Sequence, residues 1–192
     1  MDRQSRVPKK RREPTIYSIY SRGLLTKPVS LPYVTIGKNL QSTIEAYVKK
    51  DIEGRCIKEG FVKPDSTKII TFSSGIIERG NIIQFNVVFE CDICFPVEGM
   101  LISCVVTNVN KAGIQAASSD EQPSPIVVFI ARDHSFNTKG FSDVKEGDKC
   151  TIRVIGQRFE LNDGKVSIIA ELVKAPSKEK EKQNQPKIVI ED

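Results

Sequence analysis

The chain has 192 residues, five cysteines, one histidine, no tryptophan and a net charge of +5. No apolar run approaches the ~20 residues a membrane span needs. The basic N-terminus lacks the apolar stretch of a secretory signal, and an odd number of scattered cysteines reads as reduced intracellular thiols rather than a disulfide frame. The charge is unevenly placed: residues 1–12 hold six basic residues against Asp2 alone, and the rest holds 23 basic and 23 acidic residues. The body is therefore not a general electrostatic trap for nucleic acid.

Residues 1–14, broken by Pro8 and Pro14, are too polar to bury apolar area, and a disordered basic arm is expected there. Its cluster Lys9-Lys10-Arg11-Arg12 suits nuclear import or nucleic-acid contact, beside the plainer role of a solubilising tail. Ile16–Tyr20 is a short strand candidate, followed by a loop with Pro28 and Pro32. Asn39 is placed to cap a helix with its side chain, and Leu40, Ile44, Tyr47 and Val48 then recur at helical spacing. Lys49 and Lys50 suit the negative end of that helix and Gly54 stops it, so the helix reads as a cover for a small sheet.

Strands are expected near Gly54–Phe61, Lys68–Phe72 and Ile82–Phe95. In the last, Phe85, Val87, Phe89, Cys91, Ile93 and Phe95 share one face, the pattern of a long antiparallel strand with one side buried. From Pro96 a second pattern begins. Ile102, Cys104 and Val106 alternate, then the count slips at Thr107-Asn108 before Val109. One extra residue would turn every later side chain to the wrong face unless a β-bulge absorbs it. A turn at Asn110-Lys111-Ala112-Gly113 leads to a strand from Ile114, with further strands at Ile126–Ala131, Lys149–Gln157 and Lys165–Val173. The final pair is joined by Leu161-Asn162-Asp163-Gly164, where Gly tolerates positive φ. A bulged first hairpin followed by three more strands is the pattern of an OB barrel, a fold that binds single-stranded nucleic acid more often than it does chemistry.

The fold class is thus mainly β: an α+β head over residues 15–95 and a five-stranded OB barrel over 96–173, joined without a linker at Phe95-Pro96 and so held in a fairly fixed orientation. Residues 174–192 form a charged tail expected to be disordered; its terminal Ile188-Val189-Ile190 could pair with a sheet edge.

The order of elements, with GFV at Gly60–Val62, GIIERGN at Gly75–Asn81, CFPVEG at Cys94–Gly99, VVTNVNKAGI at Val105–Ile114 and VFIARDH at Val128–His134, resembles one family. It is the larger stalk subunit of multisubunit DNA-directed RNA polymerases, found in archaeal and eukaryotic enzymes and in some large DNA viruses. The resemblance covers about residues 15–173. It implies a tip domain that docks on the polymerase core near the clamp and the RNA exit path, and an S-one-type OB domain that meets nascent single-stranded RNA. It implies an accessory, noncatalytic subunit with the core subunits as partners, along with a smaller stalk partner, and no membrane. The place implied is intracellular: the nucleus for a cellular enzyme, the host cytoplasm or the virion for a viral one. Gly75, Ile76, Ile77 and Gly80 take the docking positions of the family pattern. Two features depart from it. The strand after the glycine turn reads Ile114-Gln115 where the family often carries an aromatic, and residues 97–173 hold eight basic against ten acidic residues, so RNA binding by the barrel alone is expected to be weak.

Lys111, Arg132, His134, Arg153 and Arg158 are the candidate RNA contacts, since Lys and Arg on phosphate give affinity without sequence reading. Each is also readable as a solvated charge. Phe129, inside an apolar run, reads as core. Cys91-Asp92-Ile93-Cys94 has the spacing of half a zinc site, but in a regular strand its two sulfurs face opposite sides, so no metal or other cofactor is expected. No nucleophile elbow, phosphate-cradling loop or acid–base pair supports enzyme activity. Two other readings use the same barrel: a free RNA-binding OB protein of translation or RNA decay, and an interaction scaffold that never touches RNA.

Overall fold

The computed structural model describes residues 18–37, 39–135 and 140–174. The first strand, β1, runs over Tyr20–Pro32, taking in the segment expected to be a loop. Its prolines are tolerated because β1 is an edge strand, where a missing N–H can face away from the ladder. Ile16 and Tyr17 lie outside the described residues.

Helix α1 spans Leu40–Ile52. Asn39 occupies the cap position, but its side chain makes no cap hydrogen bond. Its carbonyl serves instead, accepting from the Thr43 N–H and from the hydroxyls of Ser42 and Thr43. Ile44, Val48 and Ile52 are buried, whereas Tyr47 is exposed at the edge of the apolar stripe. The helix ends where Gly54 takes φ +72°, a conformation that costs glycine little.

The expected single strand over Gly54–Phe61 is a small hairpin, β2 (Cys56–Ile57) and β3 (Gly60–Val62). Next come β4 (Lys68–Phe72), β5 (Ile76–Glu78) and the 13-residue β6 (Ile82–Cys94). β6 organises the head. One edge pairs with β1 along its whole length, from Tyr20↔Cys94 to Pro32↔Ile82. The other edge is shared in turn by β3, β4 and β5. Phe85, Val87, Phe89, Cys91 and Ile93 form the buried face under α1, as the alternation predicts. Phe95 does not continue it: the strand ends at Cys94, and Phe95 is exposed, packed edge-on against Phe159.

The second half closes on itself. β7 (Leu101–Val109), β8 (Gly113–Ser118), β9 (Ile126–Ala131), β10 (Lys149–Arg158) and β11 (Val166–Lys174) form a closed barrel in the order β10-β11-β9-β8-β7. The β7–β8 register shifts between Val106 and Asn108, so the slip legible in the sequence is a bulge at Thr107. A four-residue helix, α2 (Arg132–Ser135), follows β9. In the turn before β11 it is Asn162, not Gly164, that takes positive φ, at 69°. Asn visits this region more readily than most residues, because its short side chain can bond locally.

Head and barrel share apolar contact. Ile19, Cys56, Phe61 and Cys94 pack in one buried cluster with barrel residues such as Ile102, Cys104 and Ile152. The contact is pinned by backbone bonds: Cys56 N–H donates to the Asp163 carbonyl at 2.7 Å, and Asn162 N–H donates to the Cys56 carbonyl at 2.8 Å. Lys63 adds an ion pair to Glu121.

Candidate nucleic-acid interface and docking tip

The barrel turn is built by Asn110. Its side-chain oxygen accepts from the backbone N–H groups of Ala112 and Gly113, at 3.0 and 2.9 Å, which folds the chain back and leaves Lys111 exposed at the apex. Gly113 is needed for space. A Cβ there would lie 2.2 Å from the Ile130 carbonyl oxygen, because β8 and β9 cross closely at Gly113↔Ala131. Arg132 is drawn to the same turn. Its N–H donates to the Ala112 carbonyl at 3.1 Å, its guanidinium donates to the Asn110 carbonyl at 3.4 Å, and its Cζ lies 5.7 Å from the Phe141 ring centre. Lys111 and Arg132 are therefore together, both exposed, at one end of the barrel.

The other candidates are dispersed. Arg153 is engaged with Glu171 across the β10–β11 pair at 2.8 Å, so it is not a free cation. Arg158 is largely exposed and only loosely paired with Glu160 at 3.4 Å. His134 belongs by its backbone to α2, and its side chain lies outside the described residues.

Phe129 corrects the expectation of a core residue. Ile126, Val128 and Ile130 point inward, which turns Phe129 outward at 47% exposure. Strand alternation inside the apolar run was the available signal. Phe129 sits between Gln115 on β8 and Ile169 on β11, and Ile169 is 52% exposed. The aromatic missing at Gln115 thus has a counterpart one strand away, on the same outer surface.

The candidate docking residues come together at the far end of the head. Ile76 and Ile77 lie on β5 and stand 60% and 78% exposed. Gly80 lies in the turn that returns to β6, and Gly75 packs beside Ile83 and Phe85. Tyr33 N–H donates to the Asn81 carbonyl at 2.8 Å, which brings exposed Tyr33 and Val34 beside the same hairpin. Those two were not legible in the sequence, since they fall in a three-residue 3-10 helix, Tyr33–Thr35, too short to show a periodicity. Exposed apolar side chains, Tyr33, Val34, Ile76 and Ile77, are thus gathered on this tip.

Cys91 lies in the head core and Cys94 in the barrel-side core, so the C-x-x-C spacing does not bring the two sulfurs to one site. Among the described residues no cluster of His, Cys, Asp and Glu could hold a metal ion. Burial pushes the thiols of Cys56, Cys91 and Cys150 up to about 11 and that of Cys94 to about 12, the opposite of an activated cysteine.

A closed five-stranded barrel whose first hairpin is bulged has the architecture of an OB fold. No family model matches the chain. Among curated proteins it is 30% identical over 140 residues to DNA-directed RNA polymerase II subunit 7 of Arabidopsis thaliana, covering 65% of this chain and 76% of that protein. It is 26% identical over 172 residues to a protein of Acanthamoeba polyphaga mimivirus described as a candidate DNA-directed RNA polymerase subunit, L376, covering 81% and 83%. It is 26% identical over 143 residues to DNA-directed RNA polymerase II subunit RPB7 of Glycine max, covering 66% and 78%. The chain belongs to the family of RNA polymerase II subunit 7, the larger stalk subunit of multisubunit DNA-directed RNA polymerases.

Proposed function

We propose that the chain is a noncatalytic subunit that docks by its head on an RNA polymerase core, near the clamp and the RNA exit path, and contacts nascent RNA with its barrel. The catalytic residues lie in other chains, and a smaller stalk partner packs beside this one. The division of labour follows the boundaries read from the sequence, with the head at 15–95 and the barrel at 96–173. The basic arm at 1–14 and the tail at 174–192, of which only Lys174 at the end of β11 is among the described residues, are additions to that plan. Its place is wherever the polymerase works, the nucleus for a cellular enzyme and the host cytoplasm or virion for a viral one.

One observation carries this reading. The exposed apolar tip and the cationic barrel turn belong to different sheets, and β6 runs from the tip into the buried cluster that the head shares with the barrel. Ile82 starts β6 at the docking tip and Cys94 ends it in the barrel-side core. At ~3.3 Å per residue this ladder is a strut of roughly 40 Å. A two-ended strut suits a protein that is anchored at one end and reaches a second ligand with the other. Membership of the family supports polymerase as what the anchored end meets, and the charge of Lys111 and Arg132 favours phosphate on the barrel. A free RNA-binding protein would have no use for the apolar tip.

The test is photocrosslinking in transcribing complexes, with a crosslinkable residue placed at Lys111 or Arg132. Crosslinks to emerging transcript from these positions support the reading. Crosslinks confined to other faces of the barrel, with none from these two, overturn the RNA contact.

A further inference from the structure

The outer row Gln115–Phe129–Ile169 does something the cations cannot. Lysine and arginine on phosphate hold RNA without distinguishing bases. Cross-strand pairing fixes Phe129 between Gln115 and Ile169, so all three side chains leave the same outer face. Beside them is a cleft of about 340 Å³, walled by Asn110, Gly113, Gln115, Phe129, Ala131 and Ile169. This is the small end of ligand-cleft sizes, and its lining is mostly apolar with few polar groups. Of its two amide side chains, Asn110 is committed to the turn through its oxygen. Gln115 is half-buried in the wall, and its carboxamide makes no hydrogen bond among the described residues. Lys111 and Arg132 stand at the turn end of the cleft, and Arg158, opposite Ser167, stands beyond Ile169 on the other side. A polyanion crossing the face would thus meet cations before and after an apolar step.

We propose that this row is a single-base reading pocket, in which one purine of single-stranded RNA stacks on Phe129 against Ile169 while the Gln115 carboxamide pairs with its edge. The inference rests on the RNA contact proposed above and adds a base preference to it. Adenine is the favoured base. Its edge offers an N–H donor next to a ring-nitrogen acceptor, which matches the acceptor and donor of a glutamine amide. On the N6–N7 side guanine instead presents O6 and N7, two acceptors, and leaves the amide oxygen unpaired; because guanine's other edge, O6 beside N1–H, would satisfy the amide, the preference for adenine commits the pocket to the N7 side of the base. Stacking alone tolerates every base, so discrimination falls to Gln115.

The full-length chain is titrated at low salt with uridine octamers carrying a single central adenine, guanine or cytosine, read by fluorescence anisotropy. The adenine octamer is expected to bind tightest. Phe129→Ala should weaken it by about 5- to 150-fold, the span of base–aromatic stacking, and Phe129→Tyr should retain it. Gln115→Ala should bring the adenine and guanine octamers to equal affinity while keeping the dependence on Phe129. Phe129 is half exposed, so thermal midpoints of the variants should stay near the parent, which separates loss of stacking from loss of fold. Equal affinity of the parent for the adenine and guanine octamers, or a Phe129→Ala variant as tight as the parent, overturns the pocket and leaves the phosphate contact standing. Absence of any salt-sensitive binding by the parent overturns both.

Discussion

The Lys63 ammonium lies 2.8 Å from the Glu121 carboxylate and 4.9 Å from the centre of the Tyr20 ring, tying the head to the barrel with one side chain. Lys63 follows β3, Glu121 lies in the β8–β9 connection, and Tyr20 opens β1, so three separate stretches of chain meet there. Burial first, then the neighbouring Cys94 thiol and the Glu121 and Asp92 carboxylates, push the Tyr20 phenol above its ordinary range, so it remains neutral. Both partners of the ion pair are about a third exposed, which limits what it contributes. Lys63→Ala should cost about 1 kcal/mol from ion pair and cation–π together, and lower the thermal midpoint by ~2–4 °C. Glu121→Gln should cost less, because the ring contact survives. A Lys63→Ala midpoint equal to the parent would show that the apolar contact and backbone bonds alone hold the two parts together.

Gly113→Ala should be far more harmful than its small volume suggests. The new methyl would meet a backbone oxygen, which cannot rotate away as a side chain can. Overpacking of this kind costs about 1–3 kcal/mol. The strain falls where β8 and β9 must cross for the barrel to close. Urea denaturation should show a lowered midpoint, and hydrogen exchange should show weakened protection at the β8–β9 pairs. Gly156→Ala is the control, since a Cβ there meets nothing within 4 Å.

The buried cysteines set a stability limit at high pH. The ordinary thiol value is 9.0, and burial raises Cys56, Cys91 and Cys150 to about 11 and Cys94 to about 12. Folding thus favours the protonated thiol. That contribution is fully present below pH 9, where folded and unfolded chains are both protonated. It is lost as pH climbs from about 9 through about 11, because the unfolded chain sheds protons first. Urea midpoints should be level with respect to thiol titration up to about pH 8.5 and then fall. Iodoacetamide should label the native chain slowly at pH 8 and the unfolded chain readily. Fast labelling of native protein would contradict the buried placement.

Lys111 and Arg132 should act as phosphate contacts and nothing more. For a single strand, the logarithm of affinity falls with the logarithm of salt by ~0.7 per phosphate neutralised. Lys111→Gln should flatten that slope by about 0.7 and weaken all sequences alike. Arg132→Gln should do the same, with a modest loss of stability from its bonds at the turn. Arg153→Gln should leave the slope nearly unchanged, since Glu171 already holds that guanidinium. A flattened slope for Arg153→Gln and none for Lys111→Gln would place the RNA path on a different face.

Much of the fold was legible because its signals are local. The slip at Thr107, the Asx-type turn at Asn110 and the alternation in β6 depend on neighbours in sequence. The strand β1 was not, since Pro28 and Pro32 argue against a strand until β6 is known to lie on one side of it and solvent on the other. Asn162 took the backbone strain assigned to Gly164 because its turn is fixed by Cys56 in the head, a contact 106 residues away in the numbering. Part of the candidate surface was readable in the same way. Lys111 and Arg132 follow from turn and strand ends, and Phe129 could have been turned outward by counting. Tyr33 and Val34 could not, because only the Tyr33–Asn81 bond brings them to the tip.

The central claim is attachment to polymerase through the apolar tip. The most direct measurement is affinity purification of the tagged full-length chain from cells that make it, beside an Ile76→Asp/Ile77→Asp variant, with copurifying chains identified by mass spectrometry. Both side chains are exposed, so the variant should fold like the parent and melt at the same temperature. The account predicts the large catalytic subunits of a DNA-directed RNA polymerase with the parent and their loss with the variant. Recovery of the parent without polymerase, or an undiminished polymerase yield with the variant, would contradict it.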